Sequence, residues 1–118
     1  MSRILIKFPT RARHSKAKDV INNYLSFATD SKDIQVIVSV DEDDEPEKYV
    51  FTDSRITVKV GQSNGKIDAI NRDMPDTSTF DILLLASDDM IPIVKGYDNI
   101  IRTKMYENFP DGDGVLWF

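Results

Sequence analysis

The amino-acid sequence predicts an α/β fold, with a mostly parallel open sheet and flanking helices arranged in three layers. Apolar segments rich in β-branched residues alternate with segments of helical periodicity, at a spacing typical of βαβ units. The apolar segments are nearly continuous, as expected for parallel strands that are buried on both faces. With 118 residues, of which 41% are hydrophobic and 30% charged, the chain is expected to form a single domain over residues 1–118.

Four segments are predicted as strands, at residues 3–8, 34–40, 55–60 and 80–86. The first is apolar and is stopped by Pro9. The second reads IQVIVSV and is rich in β-branched residues. The third alternates between apolar and polar residues, and the fourth, FDILLLA, is the most hydrophobic strand.

Three helices are predicted around these strands. The first is expected to be capped by Ser15, and its apolar residues recur at helical spacing: Ala17, Val20, Ile21, Tyr24, Leu25 and Ala28. The second is expected from about residue 66 to residue 72. The third is expected to carry apolar residues at four-residue steps, namely Tyr97, Ile101, Met105 and Phe109. A turn at residues 110–114 then introduces an apolar strand at residues 115–118.

Composition excludes several classes of protein. The chain has no cysteine and one histidine, which excludes a disulfide scaffold, a thiolate zinc site, a cysteine nucleophile and a multi-histidine metal site. A net charge of −5 argues against a nucleic-acid partner, because such proteins usually present a basic face. The sequence shows no apolar run long enough for a transmembrane segment and no signal peptide, so we expect a cytoplasmic setting.

The loops that follow the strands carry the residues of greatest chemical interest. In open α/β sheets, ligands bind beyond the carboxyl ends of the strands. The four predicted loops begin with small polar or charged residues at positions 9–11, 41–43, 62–66 and 87–89. Because these loops are expected to meet at one edge of the sheet, the sequence predicts a site for a polar, charged ligand there.

Asp88 and Asp89 are the sharpest feature of that edge. Two adjacent carboxylates at the end of a buried strand repel each other unless something neutralises them. A magnesium or manganese ion bound through oxygens would do so, and it could bridge to a pyrophosphate. The competing interpretation is an exposed turn, or a cap for the next helix.

Three further features have both a functional and an ordinary interpretation. Asn64 and Lys66 open a predicted helix, whose N-terminus attracts anions, but an asparagine cap beside a turn glycine is common. Six of the seven residues at positions 41–47 are acidic, which predicts a solvated loop in which only Asp41, at a strand end, has a functional role. His14 is expected to be exposed near a helix start, without a carboxylate partner.

Taken together, the motifs resemble those of the nucleotide-sugar-binding half of family 2 glycosyltransferases, which have the GT-A fold. The first strand and its Pro-Thr pair resemble the start of that family, as do the acidic residues that end the second strand. The helix start SNGKIDAIN and the strand end DILLLASDDM resemble the next two motifs, in the same order. The likeness covers essentially the whole chain.

This resemblance implies a nucleotide-diphospho-sugar as ligand and a manganese or magnesium ion as cofactor. Asp41 matches a position that holds the base, and Lys66 matches a basic position near the phosphates. Asp88 matches the second acid of the Asp-x-Asp motif that binds the metal, and Asp89 is its neighbour; the first acid is replaced by Ala86. The implied nucleotide-binding residues are Pro9, Thr10, Asp41, Asn64, Lys66 and Asp88, and the implied metal ligands are Asp88 and Asp89.

The second half of the family's members, which carries acceptor recognition and the catalytic base, has no counterpart in this sequence. We therefore expect a truncated domain that transfers no sugar alone, and a homo-oligomer whose contact lies near residues 97–118. Two other classes remain open. One is a non-catalytic α/β binding or interaction module with solvated acidic loops. The other is a nucleotidyltransferase-like fold, whose glycine- and arginine-rich loop is missing here.

Overall fold

The computed structural model describes residues 2–62, 71–110 and 114. It contains a four-stranded parallel sheet in the order β3-β2-β1-β4. The strands are β1 (Ile4–Thr10), β2 (Ile34–Asp41), β3 (Ile56–Gly61) and β4 (Ile82–Leu85), and the helices are α1 (His14–Phe27) and α2 (Tyr97–Asn108). The predicted open parallel α/β sheet is therefore confirmed, and each strand lies within two residues of its predicted bounds.

The strand order reverses beside β1. Strands β2 and β3 follow on one side of β1, whereas β4 pairs with its other side. Ile4 pairs with both Ile34 and Ile82, so the three strands start level with one another. A reversal of this kind leaves a crevice beyond the carboxyl ends of the two strands that flank it. In this sheet the crevice is expected between the ends of β1 and β4.

One face of the sheet carries the apolar core. Ile4, Ile6 and Phe8 of β1 share this face, because side chains of a strand alternate between its two faces, and all three are almost fully buried. They belong to the same core cluster as Ile21 of α1 and Ile101 of α2. Both described helices therefore cover the same face of the sheet.

The opposite face of the sheet is polar at its centre. Lys7 of β1 is fully buried there, and its Nζ donates a hydrogen bond to Ser39 Oγ of β2. Ser39 Oγ in turn donates to Asp73 Oδ2 at 3.3 Å, and Arg72 Nε donates to the same oxygen at 2.9 Å. The helix predicted over residues 66–72 lies mostly outside the described residues, as does the strand predicted at residues 115–118.

The start of α1 differs from its prediction. The helix begins at His14, and Arg13 occupies the cap position without a side-chain hydrogen bond to the helix, so the prediction that Ser15 caps α1 is wrong. The reason is a bend at Ala12, whose φ of 57° lies in the left-handed region. Because of that bend, the cap of the helix is Arg13, two residues before the predicted cap at Ser15. Helix α2 ends at Asn108, so Phe109 lies just beyond it.

Helix α2 is anchored by a fully buried carboxylate. Asp98 accepts hydrogen bonds from the backbone N–H groups of Thr29 and Asp30, both at 2.9 Å, and from Arg102 Nη1 at 2.7 Å. Burial acts to raise the pKa of Asp98, but these three donors outweigh it and lower the pKa below its usual value. The described helices are too short and too polar for either to cross a lipid bilayer.

Candidate functional site

The carboxyl ends of β1 and β4 meet through their side chains. Thr10, the last residue of β1, lies 3.3 Å through its Oγ1 from Asp88 Oδ2 in the turn after β4. Both residues are less than 10% exposed. The register of the two strands brings them level, because Lys7 pairs with Leu85 and both chains continue for three residues. The structure thus brings Thr10 and Asp88 together at the strand-order reversal.

Two arginines leave the end of β1 in different directions. Arg11 contacts the end of β2, where its Nη1 lies 2.7 Å from Asp41 Oδ2 and 2.9 Å from Asp43 Oδ1. Arg13 contacts the turn after β4, where its Nη1 lies 2.7 Å from Asp89 Oδ1 and 3.5 Å from Asp88 Oδ1. The segment between β1 and α1 therefore contacts the end of β2 through Arg11 and the turn after β4 through Arg13.

Arg13 supplies the neutralising charge that the Asp88-Asp89 pair requires. It is joined by Lys16 Nζ, which lies 3.4 Å from Asp89 Oδ1. The hydrogen bond from Arg13 is the main cause that lowers the pKa of the Asp89 carboxyl, and Lys16 adds to it. The Asp89 side chain is 68% exposed and that of Asp88 only 11%, so the exposed-turn interpretation fits Asp89 but not Asp88.

A divalent cation at Asp88 and Asp89 would have few ligands from the described residues. Magnesium is usually held by one or two carboxylates together with substrate phosphates and water, rather than by a cage of protein ligands. Across residues 2–62 and 71–110 there is no group of three or more side chains that could form such a cage.

On the other side of the crevice, Asp41 ends β2 and faces a second arginine. Arg72 Nη1 lies 3.6 Å from Asp41 Oδ1. The guanidinium is held in place because Nη2 donates to the Val40 carbonyl at 3.0 Å, while the buried Nη1 has no hydrogen-bond partner among the described residues. A Cβ at Gly61 would lie 3.0 Å from Nη1, so this glycine leaves the room that the arginine occupies. No local pattern in the sequence marks Arg72 as a residue of this site.

The remaining predicted site residues are less informative. Pro9 lies half-buried in β1 and pairs with Ser39 of β2. Asn64 and Lys66 lie outside the described residues, so their predicted roles stay predictions.

Two expectations about the acidic segment are wrong, because Asp44 is buried. Its Oδ2 accepts hydrogen bonds from the Ala12 N–H at 2.9 Å and from the Tyr49 hydroxyl at 2.7 Å. His14 Nε2 lies 3.6 Å from Asp44 Oδ1, so His14 does have a carboxylate neighbour, and its side chain is only 24% exposed. Burial and the contact with Asp44 raise the pKa of Tyr49 to about 12. The contacts of Asp44 with Ala12 and His14 join residues about thirty positions apart, which no local pattern in the sequence reveals.

Comparison of the chain with protein families, with curated proteins and with solved structures finds no match.

Proposed function

We propose that this domain binds a nucleotide-diphospho-sugar through a divalent cation held by Asp88 and Asp89, as in the donor-binding half of a glycosyltransferase. The observation that carries the proposal is the contact between Thr10 and Asp88, 3.3 Å apart at the strand-order reversal. It puts the Asp88 carboxylate beside the end of β1, at the strand-order reversal where open α/β sheets bind their ligands.

The charges around the crevice support a diphosphate rather than a neutral ligand. Arg13 is ion-paired with both carboxylates, so a bare cation would have to compete with it. A diphosphate removes that competition, because the cation can take the carboxylates while the guanidinium pairs with phosphate oxygens. Arg11, on the other side of Thr10, is 57% exposed and can reach a second phosphate or the nucleoside.

The proposed chemistry concerns the donor substrate. A divalent cation and arginines beside the diphosphate stabilise negative charge on a departing nucleoside diphosphate. Asp41, at the end of β2, is proposed to hold the base, and Thr10 is proposed to contact the nucleoside. The acceptor hydroxyl must lose its proton to a base, and no described residue is proposed for that role.

A thermal-shift experiment tests the proposed function. Uridine diphosphate with manganese, at about one hundred times its Kd, stabilises the folded state by about 2.7 kcal/mol and should raise the melting temperature by about 10 °C. Manganese alone, or the nucleotide with a chelator, should give little shift. Guanosine diphosphate tests the choice of base. A shift of equal size with and without manganese would contradict the proposed role of the cation.

A matched variant controls for nonspecific effects. Asp81 lies at the opposite end of β4, just before the strand, and pairs with Arg3 at 3.2 Å on the surface. Asp81→Asn therefore alters a carboxylate beside the amino end of β4, whereas Asp88 and Asp89 lie beyond its carboxyl end. The variant should keep the full manganese-dependent shift, because exposed ion pairs contribute little to stability and this one is remote from the crevice.

A non-catalytic α/β interaction module remains the second candidate. The observation in its favour is that Asp41, Asp43, Asp88 and Asp89 all have arginine partners already. In such a module no ligand would displace the arginines, and these ion pairs would persist. The same thermal-shift experiment separates the two candidates, since the module predicts no shift with any nucleoside diphosphate.

We also propose that the chain self-associates. Strand β4 lies at one end of the described sheet, and its Leu83 and Leu85 are 40% and 46% exposed. Exposed apolar side chains on an edge strand favour pairing with another chain. Light scattering at tens of micromolar should therefore show a dimer or a larger species, and a Leu83→Lys, Leu85→Lys double variant should be monomeric. A monomeric wild-type protein under these conditions would contradict the proposal.

A further inference from the structure

The two arginines of the proposed site diverge at a single residue. Arg11 reaches Asp41 at 2.7 Å on one side of the crevice, and Arg13 reaches Asp89 at 2.7 Å on the other. Between them, Ala12 has a φ of 57°, a left-handed conformation that residues with a side chain rarely adopt. An extended backbone at Ala12 would change the directions of both arginines. Whatever holds this bend therefore sets the position of both cations.

The bend is held by Asp44. Its Oδ2 accepts the Ala12 N–H at 2.9 Å, and the same oxygen accepts the Tyr49 hydroxyl at 2.7 Å. The carboxylate is buried, with its side chain 8% exposed, and it lies in a turn in which its own N–H donates to the Asp41 carbonyl at 3.0 Å. Asp44 thus ties the bend at Ala12 to the end of β2.

We infer that Asp44 is a positioning residue, which holds the left-handed bend at Ala12 and thereby directs Arg11 and Arg13 to opposite sides of the diphosphate. The inference rests on the proposed function. Asp44 acts through the backbone of Ala12 and has no contact with the ligand of its own. Its role depends on an acceptor oxygen at this position more than on its negative charge.

Two substitutions test this role by calorimetric titration with uridine diphosphate and manganese. Asp44→Ala removes the acceptor and should weaken binding about tenfold or more, because small displacements of charged groups in a site have large effects. Asp44→Asn should restore binding to within about threefold of the wild type, since an amide oxygen can accept the Ala12 N–H. Its NH₂ group would then face His14 Nε2, which lies near the other carboxylate oxygen.

Amide hydrogen exchange in the wild-type protein provides a second test, which remains valid if Asp44→Ala does not fold. If opening of the Ala12–Asp44 hydrogen bond abolishes binding, ligand at about thirty times its Kd should slow exchange of the Ala12 amide about thirtyfold. The Ser78 amide is a matched control. It donates to the Asp76 carboxylate at 2.9 Å in an exposed turn before β4, so the ligand should leave its local opening unchanged.

The outcomes separate this inference from the proposed function. No manganese-dependent binding by the wild-type protein overturns both. Wild-type binding that Asp44→Ala retains in full, or an Ala12 amide whose exchange the ligand does not slow, overturns the positioning role alone. Loss of binding in Asp44→Ala with recovery in Asp44→Asn supports it, whereas equal losses in the two variants contradict it.

Discussion

Asp88→Ala is expected to lower the affinity for uridine diphosphate with manganese by about 100-fold or more, because loss of one partner of a buried charged contact costs 2–5 kcal/mol. Asp88 is the less exposed member of the carboxylate pair, and it contacts Thr10 across the strand-order reversal. The variant should remain folded, since the side chain lies in a turn beyond β4 and outside the apolar core. Titration calorimetry with circular dichroism measures both properties.

Two other substitutions serve as comparisons for Asp88→Ala. Asp89→Ala should also weaken manganese-dependent binding, but by less. The Asp89 carboxylate is exposed, so water competes with it for the cation and can replace it in the variant. Asp81→Asn, at the other end of β4, should bind as the wild type does. Equal manganese-dependent binding by Asp88→Ala and the wild type would contradict the proposed role of Asp88 as a metal ligand.

Lys7 is expected to make the free energy of unfolding rise by about 3 kcal/mol between pH 8 and pH 10.5. Burial lowers the pKa of Lys7 to about 8, against an ordinary value of 10.5. Between these values the unfolded chain still binds the proton that the folded protein has released. The contribution of Lys7 to stability therefore increases with pH over this window. Nearby Asp73 acts to raise the pKa of Lys7 and Arg72 acts to lower it, but burial is the dominant cause.

Above pH 10 the trend is expected to reverse. Burial raises the pKa of Tyr24 and of Tyr49 to about 12, and it raises that of Tyr97 as well. The unfolded tyrosines then lose protons that the folded protein retains, so stability falls as the pH rises further. A maximum of stability near pH 10 is therefore expected.

Urea denaturation across this pH range measures the effect, and Lys7→Met provides the control. Methionine keeps most of the length of the side chain without the ammonium group, and Ser39 can still donate to Asp73. The variant should lose the rise in stability above pH 8 and keep the fall above pH 10. A variant whose pH profile parallels that of the wild type would contradict the assignment of the rise to Lys7.

The sequence predicted the features that depend on local composition. The strands were found because residues buried in a parallel sheet are apolar and β-branched, as in β2. The meeting of Thr10 with Asp88 followed from the same pattern, because the carboxyl ends of parallel strands share an edge. Burial of Lys7 was missed, since its partners Ser39 and Asp73 lie far away in the sequence.

The site details that were missed depend on backbone conformation and on long-range contacts. The left-handed bend at Ala12 could not be predicted, because this position carries neither glycine nor asparagine, the residues that usually adopt that conformation. Nothing in the local sequence distinguishes Asp44 from the other acids around it, and its contacts with Ala12 and Tyr49 appear only in the folded protein. Arg72 contacts the end of β2 through Val40, which a one-dimensional pattern cannot show.

A crystal structure of the protein with uridine diphosphate and manganese, with the metal located by anomalous scattering, tests the central claim most directly. We expect one strong anomalous peak about 2.1 Å from a carboxylate oxygen of Asp88 or Asp89 and in contact with the diphosphate, at a distance like that of magnesium–oxygen bonds. Arg13 should pair with a phosphate oxygen in that structure. Bound nucleotide without a peak at this carboxylate pair, or a peak at another edge of the sheet, would contradict the account.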